Sequence, residues 1–105
     1  MGLTLERIDK ILKNEFGLES KSSTKRKYIV YNYFFKDRFI DHKRSQVFCD
    51  VTELIRGGIA GYIYIGHLKE FDKHPHKTKL GHLQIGKMTE QELREITQKV
   101  TKEYK

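Results

Sequence analysis

The chain is poor in the residues that staple or interrupt a fold. Of its 105 residues one is cysteine (Cys49), one is proline (Pro75) and none is tryptophan. A lone cysteine excludes an internal disulfide and fits a reducing compartment. No stretch approaches the roughly 20 apolar residues of a membrane helix. The N-terminal Met1-Gly2-Leu3-Thr4-Leu5-Glu6-Arg7 meets charge too early for a signal-peptide core. Glu6 also stands where a myristoylation signal carries Ser or Thr. The expected setting is the cytoplasm, with no membrane contact.

Catalytic and cofactor signatures are equally scarce. Gly57, Gly58 and Gly61 are not followed by the Gly-Lys-Ser/Thr of a phosphate loop. Tyr64-Ile65-Gly66 is half of a GIY-YIG nuclease signature, without the upstream Gly-Ile-Tyr. Glu103-Tyr104-Lys105 has the form of a metal-nuclease ExK pair, but on a predicted helix. Asp41-His42 beside Lys43-Arg44 has the residue types of an acid–base pair, yet reads first as a charged loop. There is no RNA-recognition motif, zinc finger or GxxG loop. These absences lead us to expect a protein that is not an enzyme and needs no cofactor.

Four of the five histidines, His67, His74, His76 and His82, fall within sixteen residues, near Glu70 and Asp72. A metal site needs three or four converging ligands, and Lys73, Lys77 and Lys79 oppose a cation there, so no metal is expected. Cys49 alternates with Val47 and Val51 and reads as a buried small hydrophobe.

Enough remains to build one core. Six Phe and six Tyr supply large apolar pieces, and no repeat or linker divides residues 1–105, so one domain is expected. Leu5, Ile8, Ile11, Leu12 and Phe16 form a helical stripe over 4–16, capped by Thr4 and stopped by Gly17, with Leu18 folding back. Glu19 to Thr24 reads as a polar connection. The β-branched and aromatic run 27–35 predicts a strand apolar on both faces, hence a central strand or one covered on both sides. Further strands are expected at 46–52, 59–65 and, shorter, at 80–85, with Gly57-Gly58 as a reversal. Thr89 and Glu92 make a capping box, and Met88 with Leu93 a hydrophobic staple, for a last helix over 90–104. The predicted fold is α+β: a three- or four-stranded antiparallel meander, order α-β-β-β-β-α, with both helices on one face.

The net charge is +7. The two helical segments are balanced, whereas residues 25–44 net +5 and residues 67–88 net +3. In a meander, loops after alternate strands share an end of the sheet, so the loops 36–44 and 66–79 are expected to pool their charge. Lys25, Arg26, Lys27, Arg38, Lys43, Arg44, Lys73, Lys77 and Lys79 are the candidate phosphate contacts. Tyr62 and Tyr64 would stack bases if they point away from the helices. The function this predicts is a non-catalytic accessory domain touching nucleic acid. The alternative is a small interaction module for an acidic protein partner, offering a sheet edge or the Phe39-Ile40 loop. Fifteen lysines against six arginines suggest an AT-rich bacterial or phage genome.

Overall fold

The computed structural model describes residues 3–40, 44–65, 68 and 81–105. The first helix, α1 (Leu5–Lys10), begins where the Thr4 hydroxyl accepts the Arg7 N–H at 3.2 Å. It continues as a π-helical segment, Ile11–Glu15, which buries Ile11 and Leu12 beside Ile8. Gly17 then takes a φ of 69°, and the Leu18 N–H bonds the Leu12 carbonyl at 3.0 Å. That is the glycine stop expected from the sequence.

Five strands follow: β1 (Glu19–Lys25), β2 (Tyr28–Phe34), β3 (Gln46–Glu53), β4 (Ile59–Tyr64) and β5 (His82–Gln84). They form one antiparallel sheet in the order β1-β2-β3-β4-β5, a meander. The architecture is α+β as predicted, with one strand more. The extra strand is β1, whose sequence Glu-Ser-Lys-Ser-Ser-Thr-Lys was expected to be a connection. It carries no apolar residue and is exposed along almost its whole length. No burial constrains its pattern. Its pairing with β2, residue for residue from Glu19–Phe34 to Lys25–Tyr28, makes it a strand.

The last helix, α2 (Glu90–Thr101), starts at the predicted capping box. The Thr89 hydroxyl accepts the Glu92 N–H at 3.1 Å, and the Glu92 carboxylate accepts the Thr89 N–H at 3.2 Å. It ends before the predicted 104. There the chain turns to pair with the loop after β2, through Phe39 N–H to Lys105 O (2.9 Å) and Lys105 N–H to Phe39 O (2.8 Å). Tyr104 is nonetheless buried, donating its hydroxyl to the Gln46 carbonyl at 2.8 Å.

Both helices contribute to one core with the sheet. Ile8, Ile11 and Leu12 meet Leu93, Ile96 and Val100 over Tyr33, Phe48, Val51 and Ile63. The Tyr33 hydroxyl donates to Asp9 at 2.9 Å, tying β2 to α1. The helices are also bridged by Arg7–Glu90 (2.8 Å) and Arg94–Glu15 (2.9 Å). Residues 28–34 form an inner strand of the sheet, the first of the two placements expected, and not one with helices on both sides. Tyr33 and Phe35 are buried in the core, while on the other face Tyr28, Asn32 and Phe34 are half-exposed around a buried Val30.

Where β5 leads into α2 the chain passes tightly against β4. A Cβ on Gly86 would sit 2.3 Å from the Ile59 carbonyl oxygen, a rigid backbone atom. We expect Gly86→Ala to lower unfolding free energy by about 2 kcal/mol, measured as a fall in the urea midpoint at unchanged m-value.

Candidate nucleic-acid interface

The sheet has two unlike faces because its strands alternate. Along β4, Ile59, Gly61 and Ile63 are buried against the core, whereas Ala60, Tyr62 and Tyr64 are half-exposed on the face away from the helices. Residues paired across an antiparallel ladder share a face. The register therefore places Cys49 beside Tyr62, Gln84 beside Tyr62 and His82 beside Tyr64 on that second face. By the same rule Lys21, Asn32, Lys25 and Tyr28 lie on it. Among the described residues no helix packs there.

Strand β3 keeps this face in phase only by breaking its own alternation. Tyr31–Val51 and Tyr33–Phe48 pairs on β2, and Cys49–Tyr62 and Thr52–Ala60 pairs on β4, leave one extra residue in β3. That residue is Asp50, in the left-handed region with φ 53°. Its N–H is accepted by Asn32 Oδ1 at 3.1 Å, and Gln46 Nε2 donates to the same oxygen at 3.3 Å. A second irregularity, between the Tyr33–Phe48 and Phe34–Gln46 pairs, lets neighbours Val47 and Phe48 both be buried. Cys49 is thus half-exposed on the second face, not in the core with Val47 and Val51 as strict alternation predicted. Burial, followed by the Asp50 carboxylate, pushes its thiol up against a weaker downward pull from Lys25 and Arg44. That is the reverse of nucleophile activation.

The predicted site residues separate into groups. Tyr62 and Tyr64 alternate onto the face away from the helices, both half-exposed, and Tyr64 also packs against the core cluster. The Arg44 guanidinium lies over the Tyr64 ring, 4.1 Å from its centroid. The His82 ring meets Tyr64 edge-on at 5.6 Å and Tyr62 at 6.4 Å. Lys25 pairs with Asp50 at 2.8 Å while its side chain stays mostly exposed. Arg26 and Lys27 form the β1–β2 turn, at the end of the sheet opposite Arg44. Seven-residue β2 separates the two ends, about 20 Å at strand rise. Arg38 is spent on structure. Its guanidinium donates to the Thr101 carbonyl (2.8 Å) and twice to the Tyr104 carbonyl (2.8 and 3.0 Å), closing the end of α2, and lies over Phe35.

Lys43, Lys73, Lys77 and Lys79 lie outside the described residues, as do His67, His74, His76, Asp41 and His42. The feet of the two basic loops are described, and they meet. Antiparallel order puts the ends of β2 and β4 at one end of the sheet, where Arg44, Tyr64 and His82 touch. Among the described residues no group of His, Cys, Asp or Glu is placed to hold a metal, and no helix is long and apolar enough to cross a membrane. Sequence reasoning missed Lys21 and the Asn32–Gln46–Asp50 network. The one available signal was Asp50 itself, since Asp is enriched at left-handed positions. A groove of about 680 Å³ adjoins Tyr62, lined by Leu54, Ala60, Gln84, Lys87 and Met88 among others.

Comparison of the chain with protein-family models, with curated proteins and with solved structures finds no match.

Two outcomes are expected. Asn32→Leu leaves the Asp50 N–H without its acceptor and destabilises the fold by about 1–2 kcal/mol, measured by urea unfolding. Burial first, and then Arg44, hold the His82 imidazole below its ordinary value of 6.5, against a smaller pull from Asp50. As pH falls through the interval below that value the unfolded chain takes the proton first, so His82 makes stability drop with acidification. Arg44→Gln should raise the His82 midpoint in an NMR titration of the imidazole.

Proposed function

We propose that this domain contacts single-stranded nucleic acid across the helix-free face of its sheet. The observation that carries the reading is the cluster of Tyr62, Tyr64 and His82 with the Arg44 guanidinium stacked on it. Aromatic rings and a guanidinium plane at a sheet surface are what stacked bases engage, and every base has a π face. Arg44 stacks on the aromatics, Lys21 and Lys25 lie on the same face across the sheet on β1, all three would meet phosphates, and the chain's net charge of +7 favours a polyanion. The groove beside Tyr62, with Lys87 on its lining, has room for a base. Arg38 has no part in this reading, because its donors serve the end of α2. Arg26 and Lys27, at the far end of the sheet, add to the long-range field. The basic residues Lys43, Lys73, Lys77 and Lys79, outside the described residues, would add phosphate contacts.

The second reading is an acidic protein partner. It is favoured by the β3–β4 turn, where Ile55 is 81% exposed beside Leu54 and Arg56. An apolar anchor next to a cation suits an acidic surface with a small pocket.

Fluorescence anisotropy with labelled single-stranded DNA and RNA tests the first reading. Affinity should fall with salt at a log–log slope near −2, for about three phosphates on a single strand. Tyr62→Ala should weaken binding at least fivefold, from about 1–3 kcal/mol per stacked base. No binding at low salt, or Tyr62→Ala binding as wild type does, removes the proposal. Salt-sensitive capture of an acidic peptide that depends on Ile55 would replace it with the second.

A further inference from the structure

β1 is the outermost strand of the sheet, so one side of its backbone is paired with β2 and, among the described residues, no strand pairs with the other. A strand in that position offers a row of N–H and C=O groups to any chain that fits it. The two-residue turn Arg26-Lys27 makes Lys25–Tyr28 the closing pair of the hairpin. Hydrogen bonding alternates along the ladder, so Ser20, Ser22 and Thr24 turn their backbone groups outward.

We infer that this edge pairs with β1 of a second copy of the chain, antiparallel and centred on Ser22. A twofold axis through the sheet edge keeps each face continuous, so only residues of like parity can lie opposite each other. Centring on Ser22 sets Glu19 against the second copy's Lys25, Lys25 against its Glu19, Lys21 against its Ser23 and Ser20 against its Thr24. The outward backbone groups of Ser20, Ser22 and Thr24 then all meet partners. Both charge pairs are opposite in sign, and they flank the axis. A shift by one such step either way fails. It sets Lys21 against Lys21, or Lys21 against Lys25, and like charges directly opposite repel. The charges that would blunt the edge against arbitrary strands therefore select this one register.

The geometry admits the second copy. β1 is exposed along almost its whole length, and α1 packs on β3 and is tied to β2 through Asp9 and Tyr33, both inner strands, so the helix layers of the two copies are set apart. Lys25 already holds Asp50, and its three donors allow a second carboxylate. The result would be a ten-stranded sheet with both helix layers on one side. This inference does not rest on the nucleic-acid reading.

Sedimentation velocity without nucleic acid, from micromolar to millimolar protein, tests it. The wild-type chain should move from monomer to dimer over that range. Glu19→Lys alone and Lys25→Glu alone should each weaken self-association about tenfold. An equal mixture of the two variants should associate again, because each then supplies the charge the other lacks. Ser22→Pro, which removes an outward N–H without touching the β2 ladder, should also weaken dimerisation while the melting temperature stays close to wild type. A wild-type chain that stays monomeric at millimolar concentration overturns the inference. So does a folded pair of charge variants that fails to associate on mixing, or a Ser22→Pro chain that dimerises as well as wild type.

Discussion

The bulge at Asp50 is the constraint on which the rest of the sheet depends. β3 is the middle of five strands, so any error in its phase spreads to both sides. Starting from the buried Phe48, strict alternation would turn Asp50 into the core and Val51 out of it. An unpaired carboxylate there would be costly. The extra residue at φ 53° reverses both outcomes. Val51 returns to the core against Tyr31 and Gly61, and the Asp50 carboxylate meets Lys25 at the surface. The bulge takes one N–H out of the ladder, and Asn32 on the neighbouring strand accepts it. The polar residue in the middle of the aromatic run 28–35 is therefore part of the register of β3, and through β3 of where Tyr62 and Tyr64 point.

The end of the sheet that carries Arg44 is held by a different device. The loop after β2 is anchored beside the end of α2 by Arg38, which holds the carbonyls of Thr101, the last helical residue, and of Tyr104 beyond it, and by the Phe39–Lys105 backbone pair. Tyr104 packs its ring against Phe35 (centroids 5.5 Å apart) and donates its hydroxyl to the first residue of β3. Ile40 and Arg44 then bridge to each other, closing the loop's base. Arg44 therefore starts from a fixed backbone, which makes its stacking on Tyr64 more than a chance contact between surface side chains. Of the two arginines in this loop, Arg38 serves as scaffold and Arg44 stands on it.

Much of the fold was legible in the sequence because it rests on local signals. The capping box at Thr89 and Glu92, the Gly17 stop with Leu18 folded back, and the three aliphatic or aromatic strands all follow from residue type and spacing. Three things were hidden for physical reasons. β1 has no buried face and so no periodicity, and only its partner reveals it. The early end of α2 is set by a backbone pairing with Phe39, more than sixty residues away, while Tyr104 keeps helical spacing and misleads. The face assignment within β3 was wrong for Cys49 because period-two reasoning assumes no bulge. Of the candidate site, the outward aspect of Tyr62 and Tyr64 followed from simple alternation in a regular strand. The commitment of Arg38 to carbonyls did not, since composition cannot separate a scaffold arginine from a free one.

The partition of charge links these observations. Both helical segments are neutral in sequence, and the structure gives a reason: their ions pair across the helix layer, Arg7 with Glu90 and Arg94 with Glu15. The Glu90 and Glu15 carboxyls are held low by those guanidinium hydrogen bonds, as the arginines are held high. Such exposed pairs add little stability, but they cancel the field on that side of the molecule. The unbalanced cations consequently belong to the sheet, its edge and its loops. On the far face the Asp50 carboxylate meets Lys25, and it is fixed in place by the bulge that also sets the aromatic rings. A polyanion approaching this chain would be drawn to the side that bears rings and cations together, because the helix side is already neutralised from within.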